Sequence, residues 1–521
     1  MMEKRVLFAA MLSAVFLAWY SQFVARSIRK PTATQQAKLA ATSNGSNPTA
    51  TPVPEQPYLI ENEDVIALES SSLLLEVGRA SGAVRRVTLK QFKQSEGAGP
   101  LQLGDGKVPV IALSVHGKPI SLKDAKATQD GREMRGAADE KDYHINYALD
   151  NSKPILHIVI DSELPANEFE ELHPAIFMAW GKADHLSGRY NTLETIVLRA
   201  DKSGKKTYKR NSGFWKTAKI VPRGTTILSL SERYFCLSLR PQTELLVVRI
   251  LPPTPEHIMA EAKLQSGPAG DKSSFGANIY LGPRDFFDVE KTEFEPAFPV
   301  GAFGQIGLIL LLILKWLVGI TRNYGLGIIL LSGLVTCVTA PFSLMSMRSM
   351  KKMQELKPQA DRVMAQHKDD PAKAQKELFA LYREHRVSPL GGCLPMLLQF
   401  PVFIALFQAI SHFVELRGKS FLWITDLSLP DRLAKLPLSF PIIGSDLNAL
   451  PIVMAVAMYA QTRLSQRAMP KDQSSQAANA MMSAPVMSIL FGVMFYNFPS
   501  GLVLYWLTNS LSAILLYRLA S

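Results

Sequence analysis

The chain has 521 residues, of which 47% are hydrophobic and 20% charged, and its formal net charge is +12. The apolar residues are concentrated at the two ends, which excludes a small soluble domain and favours a membrane protein with a large soluble insert. The three cysteines, Cys236, Cys337 and Cys393, do not suggest a disulfide framework. Neither C-x-x-C nor H-E-x-x-H is present, so we predict no metal, no cofactor and no catalytic centre.

The N-terminal segment is apolar from about residue 6 to residue 24. A cleaved signal peptide is the alternative, but the run is about long enough to span a bilayer and no clean A-x-A cleavage site follows Tyr20. We therefore predict an uncleaved anchor over residues 1–25, with its N-terminus in the cytoplasm. Residues 26–57 are low in complexity and are predicted to form a linker.

Residues 58–290 contain short β-like runs separated by turn signals, and they predict an all-β sandwich. A hairpin turn is expected at 79–82. The histidines of this region are scattered rather than clustered, so no catalysis is assigned to it. Representative predicted strands are 65–69, 73–77, 84–89, 155–160, 195–198, 226–230, 245–250 and 277–281.

A dense block of basic residues at 345–388 follows the first apolar run of the core. Lys and Arg beside membrane spans remain in the cytoplasm, so this block fixes the orientation of the chain. With the anchor, the result is a multi-span α-helical membrane protein with six transmembrane helices, both termini in the cytoplasm and the β-sandwich domain in the periplasm. The five spans of the 325–521 core are predicted at 326–345, 393–416, 447–464, 481–498 and 502–519.

Residues 303–320 are apolar enough to span the bilayer, but a span there would place the basic block outside the cytoplasm. Lys315 and Trp316 suit the membrane interface instead. We therefore predict an interfacial amphipathic helix within residues 291–324, although the near-continuous apolarity of the segment favours a span.

The basic block is predicted to fold as a cytoplasmic helical hairpin over residues 346–388, broken at Asp369-Asp370-Pro371. Two helices that simply cover each other would explain it. A docking surface for the ribosome, for partner proteins or for anionic lipid is the functional alternative. The basic side chains assigned to docking are Arg348, Lys351, Lys352, Lys357, Arg383 and Arg386.

Five motifs follow one another through the C-terminal region: Leu381-Tyr382, then 388–401, 414–417, 423–428 and 498–506. Together they resemble the signature of the YidC family of membrane protein insertases, over about residues 300–521. The large insert resembles, in position and pattern, the periplasmic β domain of the Gram-negative members. The resemblance implies a protein of the bacterial inner membrane.

The resemblance also implies a mechanism. The core spans of the family enclose a polar groove that is open to the cytoplasm and to lipid. Nascent hydrophobic segments enter it and leave into the bilayer, alone or with the Sec translocon and without nucleotide hydrolysis. The implied partners are nascent integral membrane proteins, the ribosome, the Sec translocon and membrane lipids, with no DNA. A P-loop is absent, since Phe413 stands where the first glycine before Gly418-Lys419-Ser420 would be needed.

Candidate groove residues are polar side chains within the predicted spans. Interhelical hydrogen bonding is the alternative role, and for Ser and Thr it is at least as good an explanation. Family members usually carry an Arg in the first core span, where this chain has Thr336. We therefore expect insertion without a charged groove. The candidates are Ser332, Thr336, Gln399, Tyr505 and Thr508.

Other function classes fit less well. A solute transporter would show inverted repeats and buried charge, and a sugar-modifying envelope enzyme would show clustered acids and histidines. The strongest alternative is an assembly chaperone or scaffold for membrane proteins that has no insertase activity of its own, because it would use the same groove. No basic tail follows Arg518, so ribosome docking is expected to rest on the hairpin and on the 463–471 loop.

Overall fold

The computed structural model describes residues 63–298 and 302–520 with gaps, of which the longest are 163–173, 182–192, 264–272 and 467–483. The predicted anchor at 1–25 and the linker at 26–57 lie outside the described residues. The chain divides into two compact units, Met1–Phe298 and Pro299–Ser521. The first is built almost entirely of strands and the second mainly of helices.

The described residues of the first unit form two antiparallel sheets. Ten strands form one sheet, in the order β1-β2-β3-β5-β11-β18-β17-β14, with β4 beside β3 and β6 beside β5. Nine strands form the other, in the order β13-β12-β15-β16-β19-β10-β9-β8-β7. The strands of the first sheet are β1 Val65–Glu69, β2 Leu73–Gly78, β3 Val84–Lys93, β4 Pro100–Leu103, β5 Ile111–Val115, β6 Lys118–Pro119, β11 Ala175–Gly181, β14 Lys219–Val221, β17 Val248–Ile250 and β18 His257–Lys263. Those of the second are β7 Leu122–Ala127, β8 Glu133–Ala138, β9 Tyr143–Leu149, β10 Ile155–Ser162, β12 Glu194–Ala200, β13 Lys206–Ser212, β15 Thr225–Ser231, β16 Phe235–Pro241 and β19 Ser273–Pro283.

The two sheets pack face to face, as expected for a sandwich. The rings of Phe92 and Phe235, which come from different sheets, lie edge to face with centroids 5.2 Å apart. Alternation of exposed and buried residues along β1 shows why the pattern predicted a strand with one buried face. The predicted turn at 79–82 is confirmed between β2 and β3, where Gly82 has a φ of +61°. The predicted strand at 245–250 is described only over Val248–Ile250.

A buried ion pair lies near the end of this unit. The Arg284 guanidinium is 2.9 Å from the Glu194 carboxylate, and the two side chains are 9% and 6% exposed. The short helix α1, Phe286–Val289, follows directly, with the Asp285 carboxylate accepting a hydrogen bond from the Phe287 N–H at its start. A 3₁₀ turn at Glu295–Ala297 then packs its Ala297 against the core.

In the part of the second unit that the structure describes there are eight further helices. Three of its described helices are long and apolar enough to cross a membrane, at Phe303–Thr321, Tyr324–Met353 and Ser500–Leu519, and two shorter apolar helices lie at Ala449–Leu464 and Pro485–Phe495. The count of six spans therefore remains a prediction. The helices are α2 Ala302–Thr321, α3 Tyr324–Glu355, α4 Lys357–Gln366, α5 Pro371–Glu384, α6 Leu394–His412, α7 Ala449–Gln466, α8 Ala484–Phe495 and α9 Ser500–Ala520. Two short strands, β20 Ala434–Phe440 and β21 Gly444–Leu447, pair with each other between α6 and α7.

Helix α2 covers the segment for which the sequence predicted an interfacial position. Its buried face follows α6: a Cβ on Gly307 would lie 2.7 Å from the Ala405 carbonyl oxygen, and Lys315 reaches Glu415 beyond the end of α6. The exposed face is apolar rather than charged, as expected for a helix in contact with lipid. Large side chains on this face are Phe303, Ile306, Ile309, Leu312, Trp316 and Ile320. Its depth in the bilayer remains a prediction.

Not all helices of the predicted hairpin begin and end at the expected residues. Helix α3 does not end with its apolar run but continues to Glu355, because residues 346–355 are mostly strong helix formers. The hairpin proper consists of α4 and α5. Helix α5 begins at Pro371, as predicted, and the Asp370 carboxylate caps it by accepting a hydrogen bond from the Lys373 N–H.

Candidate functional site

Helix α6 and helix α9 are joined by a hydrogen bond between two predicted groove residues. The Gln399 amide Nε2 donates to the Tyr505 hydroxyl over 2.7 Å. Tyr505 is fully buried and Gln399 is half-buried, so one end of the pair faces an accessible space. A buried hydroxyl without a partner would be costly, and Gln399 removes that cost.

Helix α3 meets α9 through a second set of polar contacts. The Ser332 hydroxyl, fully buried, donates to the main-chain carbonyl of Tyr505 over 3.2 Å. One turn further along, the Thr336 hydroxyl lies 2.9 Å from the Ser332 carbonyl and 3.1 Å from Oδ1 of Asn509. Four of the five predicted groove residues are thereby brought together around Tyr505.

The fifth predicted residue, Thr508, is bonded within its own helix, where its hydroxyl donates to the Leu504 carbonyl over 2.9 Å. Asn509, its neighbour, was missed by the sequence analysis. The polar triplet Thr508-Asn509-Ser510 in an otherwise apolar run was the signal that could have found it. The Nδ2 of Asn509 has no protein partner among the described residues, and the side chain is half-buried.

We call Ser332, Thr336, Gln399, Tyr505 and Asn509 the polar cluster. All five side chains are neutral, and α3 has no charged residue between Gly325 and Met347. Amide and hydroxyl groups can exchange hydrogen bonds with a polar segment, but they do not attract one sign of charge. Among the residues that the structure describes, no group of His, Cys, Asp or Glu could hold a metal ion.

Aromatic rings pack between the helices that carry Gln399 and Tyr505. The ring of Trp506, next to Tyr505 in the chain, lies perpendicular to Phe403 of α6 with centroids 5.0 Å apart. It also contacts Phe491 and Phe495 of α8 at 5.7 and 5.2 Å. These rings hold α6, α8 and α9 together, so that the Gln399–Tyr505 bond forms on a rigid support.

One ion pair of this unit lies near the start of α3. The Glu415 carboxylate lies 2.7 Å from the Lys315 ammonium and accepts a hydrogen bond of 2.6 Å from the Tyr324 hydroxyl. This contact explains how a lysine is accommodated in the apolar helix α2, since its charge is paired. It also ties α2, α3 and the end of α6 to one another.

The basic hairpin has an apolar interior and a charged exterior. Met353 of α3 and Leu356, which follows that helix, pack against Tyr382 of α5 and Val387, with Leu378 at the edge. The end of α3 and helix α5 therefore share an apolar interior. Four of the predicted docking residues are exposed: Arg348, Lys351, Lys352 and Arg383. Lys357 lies at the first position of α4, and Arg386 lies outside the described residues.

Known proteins resemble this chain in sequence. Residues 316–519 match the family model described as 60Kd inner membrane protein. A membrane protein insertase YidC of Pelobacter propionicus is 29% identical, over 98% of each chain. The insertase YidC of Syntrophobacter fumaroxidans is 39% identical over 47% of this chain and 43% of its own length.

Among solved structures, a crystal structure of an active YidC insertase is 19% identical and covers 88% of this chain and 93% of its own, with a TM-score of 0.38. The chain is similar to the YidC family of membrane protein insertases, over residues 316–519 in the family model and over 98% of its length in the Pelobacter relative.

Proposed function

We propose that this chain receives nascent hydrophobic segments at the polar cluster and releases them into the inner membrane, without consuming nucleotide. The observation that carries the proposal is the Gln399–Tyr505 hydrogen bond, which stands beside the Thr336–Asn509 contact among otherwise apolar helices. Both contacts include a half-buried partner that a substrate segment could approach. The same side chains would then hold the helices together and bind the substrate.

A polar recess within the bilayer lowers the main barrier to insertion. Moving a charged residue to the centre of the membrane costs roughly 2.5–3.5 kcal/mol on insertion scales, and an unpaired amide costs less but still opposes transfer. The open Nδ2 of Asn509 can donate to a polar side chain or to a main-chain carbonyl of the substrate. A segment held in this way can exchange its water for protein partners before it enters lipid.

The neutrality of the polar cluster limits what it can select. Thr336 occupies the place at which relatives usually carry an Arg, and its hydroxyl is engaged by Asn509 and by the Ser332 carbonyl. We propose that recognition rests on hydrogen bonding and hydration. Substrates with uncharged polar flanks are then favoured relative to those whose flanks are acidic.

The orientation of the chain is part of the proposal. Six spans with both termini in the cytoplasm would put the β-sandwich in the periplasm and the hairpin in the cytoplasm, as the basic residues require. The exposed Arg348, Lys351, Lys352 and Arg383 would then meet the ribosome or anionic lipid. The Sec translocon is a proposed partner for substrates with large translocated regions.

The test is insertion by the full chain reconstituted in lipid vesicles. A short membrane protein is synthesised in their presence, and insertion is measured as protection of its translocated flank from protease. Empty vesicles and vesicles that contain the variant with Gln399→Leu and Asn509→Leu are the controls. Protection with the native chain, reduced several-fold with the variant, is expected. If vesicles with the native chain gave no more protection than empty ones but still prevented substrate aggregation, the chain would be an assembly chaperone.

A further inference from the structure

The loop between α6 and β20, residues 413–433, is fixed to the starts of three helices. Main-chain N–H groups of Ser500 and Gly501, at the start of α9, donate to the carbonyls of Leu429 and Leu427, each over 2.8 Å. The Asp431 carboxylate accepts from the first N–H groups of α7 at Ala449 and Leu450, again over 2.8 Å.

The start of α3 is held as well. The ring of Phe421 packs directly on Gly325, where no larger residue would fit. These contacts place the loop at the end of the helical unit where α3, α7 and α9 all begin, and they give it little freedom to move.

The tip of this loop is a tight hairpin turn with two large apolar residues at its centre. Phe421 and Ile424 exchange both main-chain hydrogen bonds over 2.9 Å, which leaves Leu422 and Trp423 as the two central residues. Leu422 has a φ of +52°. Two-residue hairpins with a positive φ at the first central position strongly prefer Gly or Asn there, because a Cβ is strained.

Neither of these two side chains is buried in the protein. Leu422 is 75% exposed and Trp423 is 43% exposed. An apolar side chain in a strained conformation that faces outward gains nothing from water. A less polar environment would remove this apolar surface from water at a gain in free energy.

We infer that the Leu422-Trp423 tip inserts into the headgroup and acyl-chain boundary of the lipid bilayer and anchors this end of the helical unit. Trp is the residue that most favours this boundary, because its ring is apolar and its N–H is polar. Here the Trp423 Nε1 donates to the Asp431 carboxylate over 3.3 Å, so the polar edge is satisfied while the ring remains exposed.

Lipid is a better occupant than a protein because the apolar surface continues from the tip onto the helices. Phe421 packs on α3 beside the exposed Leu326, and the preceding α2 exposes Trp316 and Ile320 toward its end at the α2–α3 turn. Lys419, at the base of the hairpin, is also exposed, and its ammonium can meet lipid phosphate. A bilayer interface offers both kinds of contact at once.

The experiment uses the full chain in lipid nanodiscs. Nitroxide labels are placed by Leu422→Cys and, as matched controls, by Ser420→Cys in the same loop and Lys435→Cys in β20, in a chain whose Cys337 and Cys393 are replaced by serine. Collision with oxygen, which concentrates in lipid, is compared with collision with a water-soluble nickel chelate. We expect the label at 422 to favour oxygen several-fold more than the label at 435 does, with the label at 420 intermediate.

The unlabelled protein gives an independent reading. Lipids brominated near the glycerol end of their chains should quench the native tryptophan fluorescence more than they quench that of the Trp423→Phe variant. If the label at 422 collided with nickel as readily as the label at 435, the tip would lie in water and the inference would be wrong. A label at 422 that collided with neither oxygen nor the nickel chelate would show that a protein surface, from this chain or a second copy, covers the tip. That result would also overturn the inference.

Discussion

Restoring a positive charge to the polar cluster is the sharpest perturbation of the proposed mechanism. Thr336→Arg places a guanidinium where the chain has a half-buried hydroxyl. The neutral cluster of the native chain should discriminate against acidic flanks, because nothing in it offsets the cost of bringing a carboxylate into the bilayer. The variant should remove that discrimination.

The expected size follows from the position of the residue. Thr336 lies twelve residues after Tyr324 at the start of α3, which is about 18 Å along the helix axis. If α3 crosses the bilayer from its first residue, as proposed, Thr336 lies within a hydrocarbon core of about 30 Å. A carboxylate about 4 Å from the guanidinium would gain about 1 kcal/mol if the site is as polar as water and about 4 kcal/mol if it resembles a protein surface. Since about 1.4 kcal/mol corresponds to a factor of ten, insertion of acidic substrates should rise about 5-fold to several-hundred-fold.

The assay compares two substrates that differ only in one Asp or Asn on the translocated flank, inserted into vesicles that contain each version of the chain. Thr336→Gln is the matched control, because it is long, polar and neutral. We expect the native chain and the Gln variant to favour the Asn substrate and the Arg variant to lose or reverse this preference. Equal insertion of both substrates by the native chain, unchanged by Thr336→Arg, would refute the charge reasoning.

Three further predictions concern packing, hydrogen bonding and burial. Gly307→Ala should destabilise the helical unit by about 1–3 kcal/mol, because its Cβ would lie 2.7 Å from a carbonyl oxygen of α6. Gly319→Ala is the matched control: its Cβ meets nothing within 4 Å, so it should stabilise α2 by up to about 1 kcal/mol. Thermal unfolding in detergent distinguishes the two variants. A double-mutant cycle of Gln399→Leu and Tyr505→Phe should give a coupling energy of about 0.6–1.7 kcal/mol in unfolding measurements, and a value near zero would remove the hydrogen bond from the account. Burial raises the pKa of the Cys236 thiol to about 12, so little thiolate forms at pH 8. Alkylation of Cys236, measured by mass spectrometry, should therefore be at least about a thousandfold slower in the folded chain than in urea. Comparable rates would show that the β-rich unit opens readily.

Most of the secondary structure could be predicted because its signals are local. Strand alternation such as that of Val65–Glu69 and long apolar runs such as that of α9 depend only on neighbouring residues. The end of α3 was missed for a related reason. Hydropathy marks where an apolar run stops, whereas the helix continues to Glu355 on the helix propensity of charged and polar residues.

The polar cluster could be predicted only in part, because its contacts join distant parts of the chain. Gln399 and Tyr505 stood out as polar residues within family motifs, and the structure places them 2.7 Å apart. Asn509 contacts Thr336 across 173 positions of sequence, a relation that no local pattern contains. Likewise, Lys315 favoured an interfacial position for α2, but its pairing with Glu415, 100 positions further along the chain, could not be read from the local sequence.

Photo-crosslinking from positions 336 and 399 tests the central claim most directly. A photoreactive amino acid at either position, in the full chain in membranes, is exposed to ribosomes that carry nascent chains with or without a hydrophobic segment. The account predicts adducts with the hydrophobic nascent chain at both positions and loss of these adducts when the segment is made soluble. Adducts confined to the 346–388 hairpin, with none at 336 or 399, would mean that the chain docks ribosomes or assembles membrane proteins without passing substrates through the polar cluster.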